Sequence, residues 1–122
     1  MYKAGAVIET WRILYWHVGI VSDRCVDGEQ LVLSCSGAQN KVVEESMSKF
    51  SQGFPIRRKD ILHTLNTEEI LNRARSQLGR SYDFLSWNCE HFVSYALGHA
   101  PTSPQLALAT VAVIGWLFKR KN

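Results

Sequence analysis

The sequence has few cysteines and no pattern among them. Cys25, Cys35 and Cys89 are an odd number at irregular spacing, with no C-x-x-C pair. A disulfide framework is therefore not what organises this chain, and the usual cysteine scaffold for zinc is missing. The opening Met1-Tyr2-Lys3-Ala4 shows no long apolar run of the secretory kind, so reduced thiols in a cytoplasmic setting are expected. Charge of one sign is also scarce. Fourteen Lys+Arg against eleven Asp+Glu leave a formal net charge of +3. With no aromatic-interleaved basic stripe, a nucleic-acid partner is not expected. There is no internal repeat and no low-complexity tract. What remains is globular: 46% apolar and 20% charged residues over 122 positions, enough for one core and not for two.

From Gly5 to Cys35 the chain reads as β. Ala6 to Thr10, Ile13 to Val21 and Leu31 to Cys35 are rich in Val, Ile, Trp and Tyr, and Asp27-Gly28 supplies a turn. Gly37 to Lys59 is polar and mixed, punctuated by Gly53 and Pro55, and reads as loop with at most one further strand; Arg57-Arg58-Lys59 suits solvated surface. A helix follows, capped by Asn66 or Thr67, with Ile70, Leu71, Ala74 and Leu78 as its apolar stripe and Gly79 as its stop. A shorter helix runs from near Asn88 to Gly98. Pro101 and Pro104 precede a last apolar stretch, Leu106 to Phe118, closed by Lys119-Arg120-Lys121. Strands first and helices after, with early loops too short for crossovers, predict an α+β fold: a small antiparallel sheet packed against helices. Residues 1–100 form the domain, and residues 101–122 an apolar C-terminal helix with a basic end.

Asn88-Cys89-Glu90 is the most informative tripeptide. Asn is a strong N-cap, which puts Cys89 in the first helical turn, where the dipole and free N–H groups favour a thiolate. Phe92, Val93 and Ala96 follow at offsets of three, four and seven, so the sulfur shares the packed face. A buried, inert core cysteine fits the same spacing. A nucleophilic thiol needs a base. His91 lies about 200° around the helix from Cys89, and His63 and His99 flank helix ends. His17 interrupts the apolar strand Tyr15-Trp16-His17-Val18-Gly19-Ile20-Val21. Alternation sets His17, Gly19 and Val21 on one face, and the glycine marks a face that something else approaches closely.

That strand, followed by Leu78-Gly79-Arg80-Ser81-Tyr82-Asp83 and by Asn88-Cys89-Glu90-His91-Phe92-Val93, resembles the lecithin:retinol acyltransferase-like family. The resemblance spans Gly5 to Gly98. It implies a circularly permuted form of the NlpC-type papain-like fold, in which the histidine strand precedes the cysteine helix. It also implies Cys89 as nucleophile, His17 as general base, no cofactor, and a polar residue on the next strand to orient the imidazole. Register within Leu31-Val32-Leu33-Ser34 offers Ser34 for that third role, with Gln39 or Asn40 as alternatives. A hydroxyl fixes a tautomer but brings no charge to imidazolium, so weaker activation is expected than from His or Asp.

The chemistry implied is acyl transfer through a thioester on Cys89, with a lipid ester, in particular a phospholipid, as donor. A cysteine peptidase or amidase acting on peptide or cell-wall amides, and a non-catalytic interaction module, are the alternatives. The tail bears on this choice. Residues 105–118 as a helix would be about 21 Å long, against a hydrocarbon core of roughly 30 Å. Apolar residues surround its axis, and Trp116 with the basic end suits a membrane surface reached through residues 105–121. A core or dimer-contact helix is the competing reading.

Overall fold

The fold is built on an antiparallel sheet, seen in a computed structural model that describes residues 1–121. Its strands are β1 (Val7–Trp11), β2 (Trp16–Val26), β3 (Glu29–Ser36), β4 (Lys41–Ser46) and β5 (Ile56–Arg58). They lie in the order β4-β3-β2-β1-β5, each antiparallel to its neighbour. Among the described residues there are also four helices: α1 (Met47–Ser51), α2 (Thr67–Arg75), α3 (Cys89–Ala96) and α4 (Pro104–Lys121). The α+β class and the antiparallel sheet expected from sequence are what is found.

Asp27 and Gly28 join β2 to β3 with φ of 51° and 79°. Two successive left-handed residues make the tight hairpin whose twist matches the flanking strands. The histidine strand starts at Trp16, not Ile13, and runs on to Val26. The polar stretch from Gly37 to Lys59 holds more structure than composition suggested, namely β4, α1 and β5. Glu44 in β4 looks like a surface residue in isolation. It is held 3.0 Å from Arg75 of α2 and takes a 2.5 Å hydrogen bond from Ser22, contacts that only the folded chain supplies.

The sheet carries a core on each face. On one, Val7, Val18, Ile20, Leu33 and Cys35 pack against Ile70 and Leu71 of α2 and Phe92 and Val93 of α3. On the other, Ile8, Val21 and Val32 close over Phe50 of α1. Gly19 makes this second closure possible. A Cβ there would sit 2.7 Å from Val32 Cγ1, 2.8 Å from Phe50 Cε1 and 3.0 Å from the Leu33 carbonyl oxygen. The close approach inferred from the glycine is thus made by Phe50.

Asn66 caps α2 in a reciprocal box with Glu69. The helix ends at Arg75 and not at Gly79, and Leu78 is exposed. The backbone tightens into three-residue bonds (Gln77 to Ala74, Leu78 to Arg75) before Gly79 N–H leaves to meet Val42 of β4. Pro104 does not interrupt the tail; it opens α4, where a missing N–H is harmless. Beyond its first turn α4 is exposed all round, including Leu108, Val111, Ile114, Trp116 and Phe118. It is not a core helix. No helix among the described residues is long and apolar enough to cross a membrane.

Candidate active site

Asn88 has the extended backbone of an N-cap, and its side-chain oxygen accepts from Glu90 N–H at 2.9 Å and His91 N–H at 3.2 Å. His91 Nδ1 returns the favour by accepting the Asn88 N–H at 3.0 Å, which closes a capping box. That bond spends His91 on the helix start and turns it away from the thiol. Cys89 is thereby the first residue of α3, buried, with its side chain in the larger core beside Val18, Ile20 and Cys35. Its sulfur lies 3.9 Å from the Trp16 carbonyl oxygen. At that point β2 pairs with β1 from Trp16 onward, whereas its ladder with β3 begins only at Ile20. The free edge of β2 at residues 16–18 is where α3 delivers its first residue.

His17 is fully buried on the other face. Its ring centroid is 4.9 Å from that of Phe50, and neither ring nitrogen has a hydrogen-bond partner. Ser34 is buried too, on the same face as Val32, and its hydroxyl is likewise unpartnered. Gln39 and Asn40 are exposed in the β3–β4 turn. The fold therefore brings His17 and Ser34 to one face of the sheet and Cys89 to the backbone edge of the same strand. The imidazole and the sulfur straddle that backbone and do not hydrogen-bond.

The family model described as lecithin retinol acyltransferase matches residues 1–99. The chain belongs to the lecithin retinol acyltransferase family. A search of the curated proteins finds no match. Membership points to acyltransferase- or phospholipase-type activity, and the matched span includes both His17 and Cys89.

In this family member both candidate groups rest uncharged. Burial pushes the Cys89 thiol up to about 11, helped by the Glu90 carboxylate, against the lowering effect of the Val18 backbone N–H. Burial pulls His17 down to about 3, and the Arg12 guanidinium adds to it. The thiolate expected from the helix dipole is outweighed: a partial charge at a helix end gives about 1 kcal/mol, less than full desolvation of a sulfur anion takes away. Cys35, which donates to the Trp87 carbonyl at 3.3 Å, is pushed up to about 12 for the same reason. Cys25 is the exposed thiol.

Sequence reasoning missed the contribution of α4. Glu90 accepts from Ser103 Oγ at 2.7 Å and from Gln105 N–H at 2.8 Å, and Asn88 donates to the same Ser103 oxygen at 3.0 Å. The Gln105 carboxamide then takes the Trp16 N–H and donates to the Trp16 carbonyl, each at 3.0 Å. The available signal was Ser103-Pro104-Gln105, a helix-start sequence with polar residues at the head of an apolar run.

Proposed function

We propose that the chain is a thiol-dependent acyltransferase or phospholipase A-type hydrolase that takes its acyl group from a lipid ester. Cys89 is the nucleophile, His17 the general base and Ser34, on the same face but not bonded to the ring at rest, the residue that orients it once the strand shifts. The observation that carries this reading is the placement of Cys89 at the capped start of α3, with its sulfur against the open edge of the strand bearing His17. His17 accepts the thiol proton as the sulfur attacks the ester carbonyl, and the backbone N–H of Cys89 faces the developing oxyanion. The carbon–oxygen bond breaks, the imidazolium returns the proton to the departing alkoxide, and a thioester remains. Water, an amine or an alcohol then attacks that thioester as His17 removes its proton; the carbon–sulfur bond breaks, the acyl product leaves, and the imidazolium returns the proton to the Cys89 sulfur. Since imidazole and sulfur rest on opposite sides of the β2 backbone, the reaction requires Trp16–Gly19 to shift, and that segment lacks a β3 ladder on one edge.

Exposed apolar groups support a lipid surface as the source of substrate. α4 presents Leu108, Val111, Val113, Ile114, Trp116 and Phe118 to solvent, ending on Lys119 and Arg120. The β1–β2 loop adds Leu14 and Ile13, the latter β-branched yet held at a φ of 73°, a strained conformation that stands out in a loop tip. Phe84 and Leu85, just before the cysteine helix, are exposed as well. Such groups, with a basic end, favour the boundary of an anionic bilayer.

Intact-protein mass spectrometry after incubation with phosphatidylcholine–phosphatidylserine vesicles tests the reaction. A gain of one acyl group is expected; no adduct and no free fatty acid would overturn it. Replacing Val113 and Phe118 together by Glu is expected to weaken vesicle partition about tenfold or more. A change in oligomeric state with unchanged partition would instead assign α4 to a second copy of the chain. The separation of His17 from Cys89 favours one other reading, a non-catalytic module that retains the family fold. It predicts no adduct and no free fatty acid from a protein that is folded by thermal melting.

A further inference from the structure

α4 has two unlike parts: an exposed apolar body, and a first turn tied into the site by hydrogen bonds. We infer that Gln105 is a positioning residue for the Cys89 site, its carboxamide standing in for the missing β3 peptide on the open edge of Trp16. Trp16 exposes both its N–H and its carbonyl on that edge, and buried backbone groups of this kind need partners. Gln105 supplies both at 3.0 Å. Its own backbone N–H is fixed by Glu90, the residue after the nucleophile, at 2.8 Å. The chain thus forms a closed circuit from Cys89 through Glu90 and Gln105 to Trp16, and back to the Cys89 sulfur, which meets the same Trp16 carbonyl at 3.9 Å.

Two consequences follow from that shared acceptor. The carboxamide N–H shares the carbonyl that the thiol meets at 3.9 Å, which weakens the S–H hydrogen bond to it and makes the proton easier to remove. It also anchors Trp16 beside the nucleophile, so that the movement of His17 toward the sulfur pivots about a fixed point. The helix that carries the apolar surface therefore begins inside the reaction centre, and a pull on α4 reaches the nucleophile through Gln105 as well as through the Ser103 and Glu90 contacts.

The inference deepens the acyl-transfer reading, and its test separates the two. Full-length protein in a Cys25→Ser background is compared with Gln105→Glu and Gln105→Ala, following Cys89 alkylation by iodoacetamide across pH and turnover of a soluble short-chain thioester. Gln105→Glu is close to isosteric but cannot donate to the Trp16 carbonyl. The expected result is a fall of about tenfold in alkylation rate at pH 8 and in kcat for both variants, one hydrogen bond's worth, with KM within about twofold. Vesicle partition should not change. A space-filling role predicts Gln105→Glu near wild type, and that outcome, or unchanged alkylation in both variants, overturns the inference. If the parent turns over no thioester while the variants still alkylate more slowly, the positioning role stands and the acyl-transfer reading falls. Should Gln105→Ala fail to fold, as judged by thermal melting, Gln105→Glu alone decides.

Discussion

His17→Leu is expected to raise the melting temperature at neutral pH while lowering acyl transfer by about 10²–10⁴-fold. The imidazole is fully buried against Phe50 with both nitrogens unpartnered, and each buried polar group left without a bond opposes folding by about 1–3 kcal/mol. An apolar side chain of similar size removes that penalty, so a gain of a few degrees is anticipated. Acid should separate the two proteins further. Folding takes His17 from 6.5 down to about 3, so between those values the unfolded chain binds the extra proton. The stability associated with the neutral ring is complete above about pH 6.5 and is lost as pH falls toward 3, at about 1.4 kcal/mol per pH unit. Urea titrations at pH 7, 6 and 5 read this directly. The wild type should lose stability faster than His17→Leu. A variant that keeps transfer activity removes His17 as the base; one that is no more stable means the nitrogens find partners in solution.

Cys89→Ser is expected to abolish the acyl adduct and reduce turnover by on the order of 10³-fold or more, because a serine hydroxyl is a far weaker nucleophile without a strong base beside it. The fold should survive. Serine is close in size, and its hydroxyl can donate to the Trp16 carbonyl that the sulfur meets at 3.9 Å. Intact mass before and after phospholipid, together with a melting curve, checks both halves. Persistent acylation of Cys89→Ser would move the nucleophile elsewhere, and the exposed Cys25 is the first place to look. Wild-type acylation should also accelerate with pH through the alkaline range, since the thiol rests near 11.

Caps and turns are legible locally, whereas element ends are less so: α2 stops at Arg75 short of Gly79, and the histidine strand starts at Trp16 and not Ile13. Asn66 and Asn88 are caps because an extended residue with a short acceptor satisfies the next free N–H groups. Asp27-Gly28 is a hairpin because it supplies two left-handed residues. Alternation along Trp16–Val21 placed His17 and Gly19 on one face, where Phe50 covers them. The stretch from Gly37 to Lys59 was legible only in part: α1 has five residues, β5 has three, and Glu44 acquires its role from Arg75, thirty-one positions away.

The residues and their spacing were enough to establish the class of fold, the capped cysteine helix, the histidine strand and the family, since each depends on short-range periodicity or on a contiguous motif. Protonation and mutual reach were decided by the tertiary structure alone. Whether a helix-start cysteine is ionised depends on how much water packing removes, and here burial prevails over the dipole. Which edge of β2 stays open, and that Gln105 fills it, depends on where β3 parts from β2 while staying paired with β4. The sides of the backbone on which sulfur and imidazole come to rest are set by how α3 and α1 pack, one against each face, a choice made by contacts between distant parts of the chain.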